Sequence, residues 1–309
     1  MNLIGQKKIS KDKKEDLIFY FILIIIPIVQ FCIFYIGVNF NSILLSFKDI
    51  SINSEGEYVT KYTFDTLKKA FDTFFSSEFL SLGKMSILSY LITVGIGVPL
   101  SLLFSFYIYK NFFGSGAFRV LLFMPSVISN LVIVLIFQFF VERALPDIMY
   151  ELTGDRMDGL LSNIDTRYAT LMFFNLWVSF GVTTLLYSNG MSAVSTDLVE
   201  AAQLDGVTNF QEFIYISLPT VFPTLQTFLI AGVAGIFTNQ ISLFSFYGDQ
   251  APETMQTFGY YLYMKIQQSK SFENEYPLLA AMGLILTFVA VPLTMLVKFV
   301  LDKLGPSED

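Results

Sequence analysis

Apolar residues come in uncharged blocks along this chain. The first, Leu17 to Phe40, reads LIFYFILIIIPIVQFCIFYIGVNF and carries no charge at all. A block of that length exceeds what a soluble helix needs and suits the roughly 30 Å hydrocarbon core of a bilayer. Scanning for charge-free windows of about twenty residues gives six expected spans, over 17–47, 85–109, 120–140, 168–190, 220–247 and 277–298. No alternating pattern of the kind a membrane barrel needs is present, and lipid cannot satisfy open backbone groups, so the spans are predicted to be helices. The expected fold class is an all-α integral membrane protein with six transmembrane helices.

Composition agrees with this pattern. Of 309 residues, 54% are hydrophobic and 15% charged, against about 25% charged in a typical soluble domain. Lys7, Lys8, Lys11, Lys13 and Lys14 precede the first block. Its length and the lack of a small-residue cleavage site argue against a signal peptide. An uncleaved first span with a cytoplasmic N-terminal segment over 1–16 is expected, a membrane domain over 17–301, and a cytoplasmic tail over 302–309. Of nineteen Lys and Arg, nine would then lie inside, so the positive-inside bias is slight. Sixteen of the 26 acids would lie outside.

Missing residue types exclude whole chemistries. There is no histidine, which removes Ser-His-Asp and Cys-His catalysis and the usual proton shuttle. The single cysteine, Cys32, lies inside the first span and cannot form an internal disulfide. No charge falls in the middle of any span, which disfavours an ion-coupled carrier. No G-x-x-x-x-G-K-[ST] loop is present, so the chain itself is not expected to hydrolyse ATP. Gly114-Ser115-Gly116 reads as a polar turn between spans two and three. No catalytic residue, metal ligand or cofactor is expected.

The segment between spans four and five, EAAQLDGVTNFQEFIYISLP from Glu200 to Pro219, reads as two short helices with a bend. Asp197 and Glu200 are placed to form one capping box, and Thr208 and Gln211 a second. Gly206 suits the C-terminal break, and Pro219 marks entry to the next span. Ala201, Ala202, Leu204, Val207, Phe210, Phe213 and Ile214 give the hairpin an apolar side that must pack on something. A lipid-resting helix would want Lys or Arg. The hairpin instead carries Asp197, Glu200, Asp205 and Glu212, which suits a basic protein partner.

Here the chain resembles the permease subunits of type I ABC importers, whose cytoplasmic signature is E-A-A-x-x-D-G-A-x(5)-F-x-x-I-x-L-P. Glu200, Ala201, Ala202, Asp205, Gly206, Phe213, Ile216, Leu218 and Pro219 stand in register, with Val207 in place of the last Ala. The likeness runs from about Leu17 to Leu301 and is strongest to the sugar-permease branch of maltose-type and glycerol-phosphate-type systems. Two departures are Gln250-Ala251-Pro252 for the usual Gly-Gly-Pro and Ser195 for the usual Pro before the signature. The resemblance implies that residues 196–219 form a coupling helix that docks on a cytoplasmic ATPase. It further implies a multi-pass protein of the plasma membrane with both termini inside. Its partners would be a second permease subunit, two ATPase subunits and an extracellular substrate-binding protein; no nucleic-acid partner is expected.

An importer also needs a path suited to its cargo. Asn175, Trp177, Ser179, Thr183 and Thr184, with Thr238, Asn239 and Gln240, offer amides, hydroxyls and an aromatic face for sugar. Asn175-Leu176-Trp177 and Asn239 resemble the family's substrate-contacting stretches, while polar residues also tie membrane helices together. With no buried Arg or Lys, a neutral saccharide fits better than glycerol phosphate. Amino-acid or peptide cargo is the runner-up. A membrane enzyme lacks the necessary cluster of titratable groups.

Overall fold

The computed structural model describes residues 11–53, 57–269 and 273–306. Lys7, Lys8 and residues 307–309 of the expected tail lie outside the described residues. Contacts divide the chain into two units, residues 1–71 with 271–285 and residues 72–270 with 286–309.

The first unit begins with α1 (Asp16–Leu45). It is exposed along its apolar length, from Leu17 to Phe40. A surface that apolar is stable in lipid or against another membrane helix, not in water. It leads into a feature the all-α expectation omitted: β1 (Lys48–Ile52) and β2 (Tyr58–Tyr62) pair antiparallel, with Lys48 opposite Tyr62 and Ile52 opposite Tyr58. Asn53 Oδ1 accepts from Glu57 N at 2.8 Å and Asn53 N donates back to Glu57 O at 2.9 Å, closing the hairpin. The helix α2 (Asp65–Phe74) follows. Its first turn is tied to the hairpin by Thr66 Oγ1, which donates to Lys48 O at 2.8 Å.

The second unit holds most of the helical packing. Its elements are α3 (Ser77–Tyr109), α4 (Ser115–Val127), α5 (Asn130–Thr153), α6 (Arg167–Met191), α7 (Thr196–Leu204) and α8 (Asn209–Gly235). They are followed by α9 (Leu243–Tyr247), α10 (Phe258–Gln268) and α11 (Tyr276–Leu304), the last beginning in the first unit. Among the described residues, α1, α3, α6, α8 and α11 are long and apolar enough to cross a membrane alone.

The third expected span, 120–140, is not one rod. Helices α4 and α5 meet at 104° across a short break. Pro125 has no N–H to donate, and Ile128 and Ser129 are extended (ψ 140° and 133°). The fifth expected span is also shorter than 220–247, because α8 stops at Gly235. Beyond it, Ile241 and Ser242 take positive φ, 45° and 59°, which no helix can contain.

Helix α6 is the hub. A Cβ at Gly181 would lie 2.0 Å from the Leu122 carbonyl oxygen, so only glycine lets α4 approach α6 this closely. Ser105 Oγ on α3 donates to Thr184 O on α6 at 2.8 Å. Two buried clusters flank this hub. One gathers Ile133, Val134, Phe137, Leu171, Phe174 and Leu243 among others, and the second Leu102, Phe106, Tyr187, Met191, Phe213 and Val221.

Candidate functional site

The expected hairpin is present. Ser195 caps α7, its Oγ accepting from Leu198 N at 3.3 Å, so the cap is Ser195 rather than the expected Asp197. Ser195 is the residue with extended backbone (ψ 138°), and that geometry aims its hydroxyl at the open N–H groups of the first turn. The chain then reverses at Gly206, with φ +80°. That conformation is nearly free for glycine and costs other residues roughly 1–2 kcal/mol. Thr208 opens α8 with the expected capping box: Thr208 Oγ1 accepts from Gln211 N and Gln211 Oε1 accepts from Thr208 N.

Burial splits the hairpin into a root and a tip. At the root, Phe213 is buried, its ring 5.3 Å from Phe106 at the end of α3. Glu212 is 2% exposed and accepts from Lys110 Nζ at 2.9 and 3.0 Å. Its charge is spent inside the chain, which corrects the expectation that it faces a basic partner. Pro219 is half-buried at the start of the Leu218–Gly235 segment. At the tip, Glu200, Ala201, Asp205 and Gly206 are exposed and Ala202 is half-buried. The apolar side expected to pack is only partly packed. Leu204 is 90% exposed and Phe210 69%, leaving apolar side chains unpartnered around exposed carboxylates.

The candidate path residues fall in a different place. Asn175 and Asn239 both grip Ile241. Asn175 Nδ2 donates to Ile241 O at 2.9 Å, and Asn239 Oδ1 accepts from Ile241 N at 2.8 Å. Asn175 Oδ1 also accepts from Ser242 Oγ at 2.9 Å. The Asn175 amide is therefore committed to holding the two positive-φ residues that lie beyond the end of α8. Trp177 packs near Phe137 and Phe174. Ser179 Oγ donates to Asn175 O within its own helix.

Asn239 also lines a small cleft of about 90 Å³ with Ser86, Ser89, Tyr90, Thr93 and Thr257; Ser86, Ser89 and Thr257 are buried, and the hydroxyls of Ser89, Thr93 and Thr257 donate to backbone carbonyls of the chain. Trp177 and Ser179 are not among its lining residues. The sequence reading missed Ser86, Ser89 and Thr93, although their spacing of three and seven places them on one face of α3. The cleft walls are hydroxyls, one amide and apolar groups, with no charged side chain.

The sequence of residues 97–308 matches the family described as the binding-protein-dependent transport system inner membrane component. The chain belongs to this family. The match contains the hairpin and the end of α8 and leaves the Ser86, Ser89 and Thr93 wall outside it. Relatives with the same family character include the maltose/maltodextrin transport system permease protein MalF of Salmonella typhimurium. It is 27% identical over 207 residues, 61% of this chain and 39% of MalF. The probable ABC transporter permease protein y4oQ of Sinorhizobium fredii is 29% identical over 171 residues, 54% of this chain and 55% of that protein. The chain thus spans about two-fifths of the length of MalF.

Among solved structures, a chain of a bacterial ABC transporter involved in import of the acidic polysaccharide alginate superposes with a TM-score of 0.74. The overlap covers 96% of this chain and 99% of that one at 20% identity. A chain from the alginate transporter in complex with an alginate pentasaccharide-bound periplasmic protein gives the same TM-score, over 93% of this chain and 94% of that one. At 20% identity the likeness establishes the shared fold.

Proposed function

We propose that this chain is the membrane permease of an ATP-driven, binding-protein-dependent importer of carbohydrate, with residues 196–219 as the seat of a separate ATPase subunit. The observation that carries this reading is the divided hairpin. Its root is fixed by the Glu212–Lys110 pair and the Phe213–Phe106 contact, while Leu204 and Phe210 project from an exposed tip beside Glu200 and Asp205. Exposed apolar anchors ringed by charge suit a protein groove with an apolar floor and a basic rim. On this reading Glu200, Ala201, Ala202, Asp205 and Gly206 meet the ATPase, while Phe213 and Pro219 hold the hairpin to the membrane helices. Hydrolysis belongs to that partner, and the hairpin side of the membrane, with both termini, is cytoplasmic. A second permease and an extracellular binding protein complete the assembly.

The cargo assignment rests on the named relatives and on the uncharged cleft. MalF and the alginate transporter are carbohydrate systems by name, and the residues lining the cleft include no charged side chain. An acidic sugar would leave its carboxylates unpaired against uncharged walls, so a neutral saccharide is proposed. Uptake of labelled neutral oligosaccharides, acidic oligosaccharides and amino acids, compared with and without this chain, tests it. Loss confined to neutral oligosaccharides is expected; loss confined to amino acids would overturn the cargo assignment.

A further inference from the structure

Lys110 and Glu212 form a salt bridge, and its position is unusual. Lys110 caps the C-terminus of α3, whose 33 residues are long enough to cross the membrane. Glu212 closes the first turn of α8, immediately after the hairpin bend. The side chains are 14% and 2% exposed, and Nζ reaches both carboxylate oxygens. The chain turns sharply just past Lys110, with Asn111 at φ 51° and Gly114 at φ 79°.

A surface pair in that place would be expendable. A buried pair is not, because separating its partners strands a charge away from water. The bond therefore resists any displacement of the hairpin root that α3 does not follow. The apolar contacts beside it, Phe213 on Phe106 and the Leu102, Tyr187 and Met191 cluster, are non-directional and can slide without such a penalty.

We propose that Lys110 and Glu212 are positioning residues that form the joint between the hairpin and α3, making the two move as one body when the ATPase closes. The proposal rests on the functional reading above and names the part that carries its motion.

The test uses the assembled complex isolated through a tag on this chain, with Cys32→Ser as background. Spin labels at Thr196→Cys in α7 and Leu103→Cys in α3 report their separation by pulsed electron resonance, with and without ATP–vanadate trapping. With the native pair, one distance unchanged by trapping is expected. In Lys110→Met, trapping is expected to shift or broaden that distance beyond its untrapped width. The swap Lys110→Glu with Glu212→Lys is expected to restore the single distance, a rescue that a mere loss of folding would not give. An unchanged distance in Lys110→Met, a change in the native pair, or failure of the swap to rescue would each overturn the joint. Absence of any co-isolated ATPase from the native chain would remove the functional reading itself, and the joint with it.

Discussion

Glu200 and Glu212 carry the same charge in the same hairpin, and burial gives them opposite roles. Glu212 is enclosed and paired with Lys110, so Glu212→Ala leaves an ammonium buried without a partner. Breaking such a pair costs about 3–5 kcal/mol, and thermal unfolding of the detergent-solubilised protein should show a clear drop in midpoint. Glu200 is exposed, and surface changes away from packing usually stay within about 0.5 kcal/mol. Glu200→Lys should leave the unfolding midpoint nearly unchanged while reducing co-isolation of the ATPase. Equal co-isolation from both proteins would contradict the charge-pairing role of the tip. Asn175 works at the same scale. Asn175→Leu removes the partner of the Ile241 carbonyl and the acceptor of Ser242 Oγ, orphaning two polar groups at about 1–3 kcal/mol each. A lowered midpoint is expected, whether or not cargo is present.

Elements read from charge-free length were legible; elements made by distant pairings were not. Span positions follow from what a bilayer excludes, and the hairpin from its Gly206 break and Thr208–Gln211 box, signals contained within a few residues. The break between α4 and α5 carried a local sign in Pro125, which the absence of charge from 120–140 hid. The end of α8 was missed because Asn239 read as a polar group on a helix, whereas its Oδ1 accepts from Ile241 N beyond the helix end. The strand pair was missed because a single five-residue alternation lies below what a scan for spans detects. Glu212 gave no warning of burial, since Lys110 lies 102 residues away in sequence. The clearest prediction at this scale concerns Gly206. Proline fixes φ near −65° and cannot take the observed +80°, and it also removes the N–H that bonds Gln203 O at 3.0 Å. Gly206→Pro should leave membrane insertion intact and abolish transport. Undiminished stimulation of ATP hydrolysis by loaded binding protein would contradict this.

For the whole molecule, the arrangement separates three tasks. A small uncharged cleft lies beside the interrupted end of α8, a packed hub around α6 holds the helices, and the hairpin presents an apolar tip on a fixed root. In the proposed function, a separate ATPase docked on that tip supplies the energy. The most direct measurement places a lone cysteine at Leu204→Cys, with Cys32→Ser, and reacts it with a membrane-impermeant maleimide in intact cells and in inside-out vesicles. Labelling only in inside-out vesicles, and protection there by the bound ATPase, is the result the account predicts. Labelling in intact cells, or reaction unaffected by the ATPase, would contradict it.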